Sequence, residues 1–128
     1  MRYLALAIGL MVGSGSTALG ADEIMANYFG NTVIATSQMG ELRVHYKPDH
    51  SFSGRADGPM GKYDIRGTWK FDEHGNLCRT YSTNGTDLPP GMPNPFCAPW
   101  SAHNVGDVWT VVGQDGRAAE VKLMGGRH

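Results

Sequence analysis

The feature that most constrains this chain is a strict alternation of apolar and polar side chains over residues 62–72, KYDIRGTWKFD. Residues 41–47, ELRVHYK, repeat the alternation. The two apolar faces consist of Tyr63, Ile65, Gly67, Trp69 and Phe71, and of Leu42, Val44 and Tyr46. A period of two residues is typical of a strand with one buried face. The sequence therefore predicts an antiparallel sheet that is covered on one side only.

Turn signals separate further strand-like segments at short, regular intervals, which is typical of a barrel or sandwich. Gly75 can adopt the positive φ that a hairpin turn requires. His50 stands in a second predicted turn, and histidine is among the residues that tolerate a positive φ there. Four prolines and two glycines make residues 83–95 a long predicted loop. We predict one all-β domain over residues 21–128. It is a small antiparallel meander barrel of about seven or eight strands with a short N-terminal helix.

The first twenty residues have the layout of a secretory signal peptide. Arg2 precedes a short apolar run, and Ala18 and Gly20 place small residues at the two positions that a signal peptidase reads. We predict cleavage near Gly20 and a bacterial protein that is periplasmic or secreted. The apolar run is too short to span a membrane and no later segment is longer, so we expect no span in the mature chain.

The charge balance argues against nucleic acid as a partner. The sequence has 11 Lys and Arg against 12 Asp and Glu, for a formal net charge of −1. It contains no basic run that would attract nucleic acid or an anionic membrane. It also lacks a glycine-rich phosphate loop, and we expect no cofactor.

Cys78 and Cys97 both lie in the predicted mature part of the chain. An exported protein meets an oxidising compartment, where paired cysteines form disulfides. We therefore predict a Cys78–Cys97 disulfide. Closing a loop of about twenty residues stabilises a fold by roughly 3 kcal/mol in the chain-entropy model.

The end of the domain that carries the long loop and Trp100 is the predicted ligand site. Met92, Phe96 and Trp100 are apolar groups that a purely solvated loop does not need. The scaffold pins both ends of this loop, and pinned loops often serve in recognition. The alternative is that these side chains simply cap the open end of the barrel.

Arg79 is the fourth predicted ligand-binding residue, and its orientation has two interpretations. If Leu77 and Tyr81 face the interior, Arg79 also does, and a buried guanidinium then requires an anionic partner. If Cys78 and Thr80 face the interior instead, Arg79 lies in water.

His45, Asp49 and His50 are close enough in sequence to be candidates for a site of two histidines and one carboxylate. The alternation, however, places His45 on the solvent face, and His50 has a role in the turn. We predict no metal site. We also predict no catalytic residues, because the hydrolase and metalloprotease motifs are missing. A small hydrolase that combines His103 with Asp64 or Asp107 has no motif in its favour.

Several motifs together resemble a group of small exported proteobacterial proteins. They are FGNTV from residue 29, HYKPDHSFSG from residue 45, GTWKFDEHGNLC from residue 67 and NPFCAPW from residue 94. The resemblance covers nearly the whole predicted mature chain, although His50 stands where the group usually has glycine. It implies a lipocalin-like β-barrel and supplies no catalytic residues.

A second similarity is to the periplasmic inhibitors of lysozyme, which are small disulfide-bonded barrels with an S-G-x-x-Y loop. This chain has Ser53 and Gly54, but its tyrosine comes only at Tyr63. We predict a binding or accessory module for a small ligand or an envelope protein, with an enzyme inhibitor as the alternative. An open, aromatic-lined interior favours the small ligand, and a filled interior favours a role of the protein surface.

Overall fold

A computed structural model describes residues 20–59, 61–82 and 93–128. These described residues form one short helix, α1, over Ala21–Met25, and eight strands. The strands are β1 Thr32–Ser37, β2 Gly40–Tyr46, β3 Ser51–Gly58, β4 Gly61–Phe71, β5 Asn76–Tyr81, β6 Phe96–Pro99, β7 Val108–Val112 and β8 Ala118–Met124. The predicted signal peptide falls on residues 1–20, of which all but Gly20 lie outside the described residues, as does Met92.

All eight strands belong to one antiparallel sheet with the order β6-β5-β4-β3-β2-β1-β8-β7. The sheet curls so that its two edge strands approach each other and nearly close a barrel. Gln114 bridges this seam, since its backbone N–H donates to the Cys97 carbonyl at 3.2 Å and its side-chain oxygen accepts from the Cys97 N–H at 2.8 Å. The predicted all-β meander barrel is thus confirmed.

The side chains of strand β4 point to the faces of the sheet that the sequence predicted. Ile65 and Trp69 are buried, whereas Lys62, Asp64 and Arg66 on the opposite face are exposed. Gly67 interrupts the apolar series for a steric reason, because a β-carbon there would collide with the Thr80 carbonyl oxygen of β5. Glycine in a strand often marks such a close backbone approach.

Helix α1 and the turn after it close one end of the barrel. Met25 and Tyr28 are completely buried. The Tyr28 hydroxyl donates to the Ser101 carbonyl at 2.7 Å, and its ring lies 5.4 Å from the Trp100 ring. Burial raises the pKa of the Tyr28 phenol. The predicted short N-terminal helix is therefore present. Together with the turn over residues 26–31 it forms the lid of the barrel.

His50 adopts a φ of 70° in the turn between β2 and β3, which confirms its predicted left-handed conformation. Its ring stacks on Trp69 with a centroid distance of 4.0 Å. Its Nε2 lies 3.3 Å from an Asp22 carboxylate oxygen of α1. His50 therefore connects helix α1 to strand β4 of the barrel.

The predicted disulfide between Cys78 and Cys97 is confirmed. The two residues lie directly opposite each other on β5 and β6. Their strand neighbours Leu77 and Ala98 are buried on the interior face, so the disulfide lies on the outer face. None of the described helices is long and apolar enough to cross a membrane.

Candidate functional site

The interior of the barrel contains a cavity of about 240 Å³. The turns after β1 and after β7 surround its mouth, at the end of the barrel opposite α1. Most of its walls are apolar. The residues that line it include Val33, Ala35, Leu42, Tyr46, Ala56, Leu77, Arg79, Pro93, Phe96, Ala98, Trp100, Val111, Ala119 and Val121. The barrel is therefore not filled by its own described side chains.

Arg79 extends into this cavity, which decides between the two interpretations of its orientation. Its strand neighbours Leu77 and Tyr81 are both buried on the interior face. The Arg79 Nη1 donates to the Tyr46 hydroxyl oxygen at 3.3 Å. Its guanidinium carbon lies 5.4 Å from the centroid of the Phe96 ring and 5.8 Å from that of Tyr81. Two aromatic rings and one phenol thus position the cation.

The charge on Arg79 is retained despite its surroundings. Burial alone lowers the pKa of Arg79, but the phenol oxygens of Tyr81 and Tyr46 raise it by more, so the net pKa lies above its usual value. Burial likewise raises the pKa of Tyr81, and the guanidinium charge partly opposes this effect. The cavity wall therefore carries a cation at neutral pH.

Two polar atoms, one in a residue of the cavity wall and one in a residue that contacts Arg79, have no hydrogen-bond partner within the described part of the chain. They are the Nε1 of Trp100 and the hydroxyl of Tyr81, and both are buried. The Tyr81 hydroxyl is near enough to Arg79 to feel its charge but makes no well-aligned hydrogen bond with it. A buried unsatisfied polar group typically costs about 1–3 kcal/mol.

The structure brings three of the four predicted ligand-binding residues into one cavity. Arg79, Phe96 and Trp100 all line it, whereas Met92 lies outside the described residues. Trp100 also packs on Tyr28, so it both lines the cavity and supports the lid. Sequence reasoning did not assign Tyr46 to the site, although the alternation of residues 41–47 already placed it on the inner face.

Charged side chains lie at the mouth of the cavity, among them Glu41, Asp115 and Arg117. Glu41 accepts a hydrogen bond from the Arg43 Nε at 2.9 Å. Arg117 contacts the thioether sulfur of Met39, which is partly exposed. The entrance thus carries charges of both signs above a largely apolar interior.

The candidate metal ligands do not converge. The Asp49 carboxylate accepts hydrogen bonds from the Ser51 hydroxyl and from the Ser51 backbone N–H, and these bonds lower the pKa of Asp49 in that order of size. His45 lies between the buried Val44 and Tyr46, on the outer face of β2 as predicted, and it is half-buried there. Burial of its ring and the nearby Arg127 lower its pKa. Within residues 20–59, 61–82 and 93–128, no group of three His, Cys, Asp or Glu side chains is arranged to hold a metal ion.

A second cluster lies in the loop between β6 and β7, outside the cavity lining. His103 has its Nδ1 3.2 Å from an Asp107 carboxylate oxygen and its Nε2 3.2 Å from the Ser101 hydroxyl oxygen. Its ring stacks on Trp109 with a centroid distance of 3.6 Å. The backbone N–H of Asn104, followed by the His103 side chain, lowers the pKa of Asp107. The His103 ring is therefore held at both nitrogens and on one face, and its side chain is only 21% exposed.

Of the two carboxylates considered for a hydrolase, only Asp107 lies beside His103. Asp64 is exposed on β4 and lies 3.5 Å from the Arg55 Nε. The Ser101, His103 and Asp107 cluster also holds the lid, because the Asn27 side chain donates to the His103 carbonyl at 3.0 Å. The order of contacts is the one that links nucleophile, base and carboxylate in serine hydrolases.

Comparison with known proteins adds nothing to this geometry: no family model, no curated protein and no solved structure matches the chain. The resemblances to small exported proteins and to lysozyme inhibitors therefore stay predictions.

Proposed function

We propose that this protein is an exported, periplasmic or secreted binding module that takes a small, largely apolar ligand into the interior of its barrel. The observation that carries the proposal is the apolar cavity of about 240 Å³ with three of the predicted ligand-binding residues in its walls. The disulfide is compatible with an oxidising compartment outside the cytoplasm.

The size of the cavity supports a ligand in place of packed side chains. Protein interiors are normally close-packed, with few voids larger than a water molecule. A barrel of about eight strands is just wide enough either to be filled by side chains or to hold one small ligand. An engineered cavity of about 150 Å³ already binds benzene. The cavity here is larger and opens at its mouth, so an aromatic or alkyl ligand can lie inside it and extend into the opening. An open interior favours ligand binding over inhibition by the protein surface.

A substitution that fills the cavity tests the proposal. Ala35 lines the cavity, whereas its neighbour Thr36 on β1 is exposed. We expect Ala35→Phe to weaken the binding of a neutral apolar dye such as Nile red by at least about tenfold, because the new ring occupies the ligand's volume. The matched Thr36→Phe variant should bind the dye like the wild type. Fluorescence titration measures both affinities.

Equal dye binding by the wild type and by Ala35→Phe would show that the dye does not enter the barrel, and the proposal would fail. Thermal unfolding of each variant confirms that it is folded. Native mass spectrometry of protein purified from its own cell envelope then identifies a retained ligand by its mass.

The contacts that link Ser101 to His103 and His103 to Asp107 favour a second candidate function, the hydrolysis of an ester. In this reaction the Ser101 hydroxyl attacks the carbonyl carbon while His103 takes its proton and passes it to the departing alcohol. Water then attacks the acyl group on Ser101 and releases the acid. Asp107 orients the imidazole.

Hydrolysis of p-nitrophenyl acetate tests this candidate. We expect a rate above that of buffer for the wild type and a loss of about 100-fold or more in Ser101→Ala, since the nucleophile is removed. Ser82→Ala, a change at another exposed serine, is the matched control. If wild type and Ser101→Ala hydrolyse the ester equally, the cluster serves only to hold the lid.

A further inference from the structure

We infer that the ligand of the barrel cavity carries an anionic oxygen group, a carboxylate or a phosphate, which binds to Arg79. This inference rests on the proposed function and names the chemical class of its ligand. The compound would be an amphipathic organic anion with its charged group inside the barrel and its apolar part against the cavity walls.

The first argument is the missing counter-ion. Among the described residues, no carboxylate lies within ion-pair distance of the Arg79 guanidinium, although three other Arg or Lys side chains form such pairs. Its described partners are one phenol oxygen and the faces of two aromatic rings. Arg79 is half-buried, and a charge that is partly withdrawn from water is costly unless it is paired and hydrogen-bonded. An anionic ligand group would supply that pairing.

The second argument is the character of the nearby polar atoms, which are hydrogen-bond donors. The Tyr46 hydroxyl oxygen accepts from Arg79, so its own proton is directed elsewhere and can be donated. The Nε1 of Trp100 can only donate, and the Tyr81 hydroxyl is also unsatisfied within the described chain. A guanidinium with donors around it matches a group with several acceptor oxygens.

The third argument is the orientation of the guanidinium. Arg79 lies opposite Phe96 in the register of β5 and β6, and the Phe96 ring packs on its guanidinium. Tyr81 contacts it from its own strand. Because the planar fork of an arginine is held in place, it can present two parallel N–H groups to one carboxylate or phosphate.

A pair of matched probes tests the inference. Decanoate and decan-1-ol share the same chain and differ only in the head group, and each is used to displace Nile red from the protein at neutral pH. We expect the wild type to bind decanoate about 10 to 100 times more tightly than decan-1-ol, as for hydrogen bonds to a charged group. Decyl phosphate in a parallel titration distinguishes a phosphate from a carboxylate as the preferred group.

Arg79→Met keeps the length of the side chain and removes its charge. We expect this variant to lose the preference for decanoate over decan-1-ol, with each affinity calculated from the Nile red affinity measured for the variant itself. Arg66→Met removes a charge that is exposed on β4 and should leave the preference unchanged. Tyr46→Phe, which keeps the charge and the ring, should lower the affinity for decanoate several-fold and leave that for decan-1-ol unaltered.

The outcomes separate this inference from the proposed function. If Nile red does not enter the barrel, the proposed function fails. If the dye enters but the wild type binds decan-1-ol as tightly as both anions, the inference alone is overturned. Asp87, outside the described residues, is the internal counter-ion to exclude. If Asp87→Asn and Arg79→Met destabilise the protein equally and the anions show no advantage, Arg79 serves an internal ion pair.

Discussion

Replacing Trp69 by alanine should lower the free energy of unfolding by about 3–5 kcal/mol, the range found for large core truncations. A typical small domain has about 5–15 kcal/mol in total, so this one change removes a large part of the stability. Trp69 is only 2% exposed, and it is among the largest fully buried side chains of the barrel.

The size of this effect follows from the contacts of Trp69. Its Nε1 donates to the Lys47 carbonyl at 3.1 Å, and its ring stacks on His50. The ring also lies near Tyr46 and Phe29, at centroid distances of 6.4 and 6.0 Å. Truncation would therefore remove apolar burial, leave a carbonyl without its donor and release the turn that holds α1.

Thermal and denaturant-induced unfolding measure this loss. We expect the melting temperature of Trp69→Ala to fall by roughly 12–40 °C, given about 4–8 °C per kcal/mol for a domain of this size. Thr68→Ala, at the exposed neighbouring position, should change stability by less than about 0.5 kcal/mol. A Trp69→Ala variant that melts within a few degrees of the wild type would contradict the central place of this residue in the core.

Removing the disulfide should have the second largest effect, a loss of about 3 kcal/mol for a closed loop of this length. Cys78 and Cys97 are 19 residues apart in sequence, and between them they join β5 to the edge strand β6. Strand β6 is only four residues long, so it has few hydrogen bonds of its own to hold it in the sheet. Replacing both cysteines by alanine avoids leaving a free thiol.

Urea unfolding of the wild type with and without reductant, and of the double-alanine variant, tests this expectation. Reductant should destabilise the wild type to about the level of the variant and have no effect on the variant itself. Thiol titration of the unfolded, unreduced wild type should find no free cysteine. Two free thiols in that titration, or equal stability in all samples, would refute the prediction.

The local elements of this barrel follow from patterns in the amino-acid sequence. The alternation over residues 62–72 defined β4 and its inner face, because the side-chain period of a strand depends only on the backbone. His50 and Gly75 marked turns through the φ values that they tolerate, and both have positive φ in the structure. The disulfide followed from there being only two cysteines in a chain predicted to be exported.

The candidate site, by contrast, depended on the tertiary structure. The sequence of β5 allowed either of its two faces to point into the barrel. Leu77 and Tyr81 on one face were plausible interior residues, and so were Cys78 and Thr80 on the other. Pairing with β4 and β6 selected the facing that brings Arg79 inside and leaves the disulfide outside. The cavity is likewise a property of the closed sheet. Small side chains such as Ala35 and Ala98 leave space only if the side chains across the cavity are too small to fill it. Those side chains come from residues far apart in the sequence, so the cavity cannot be inferred from any one segment.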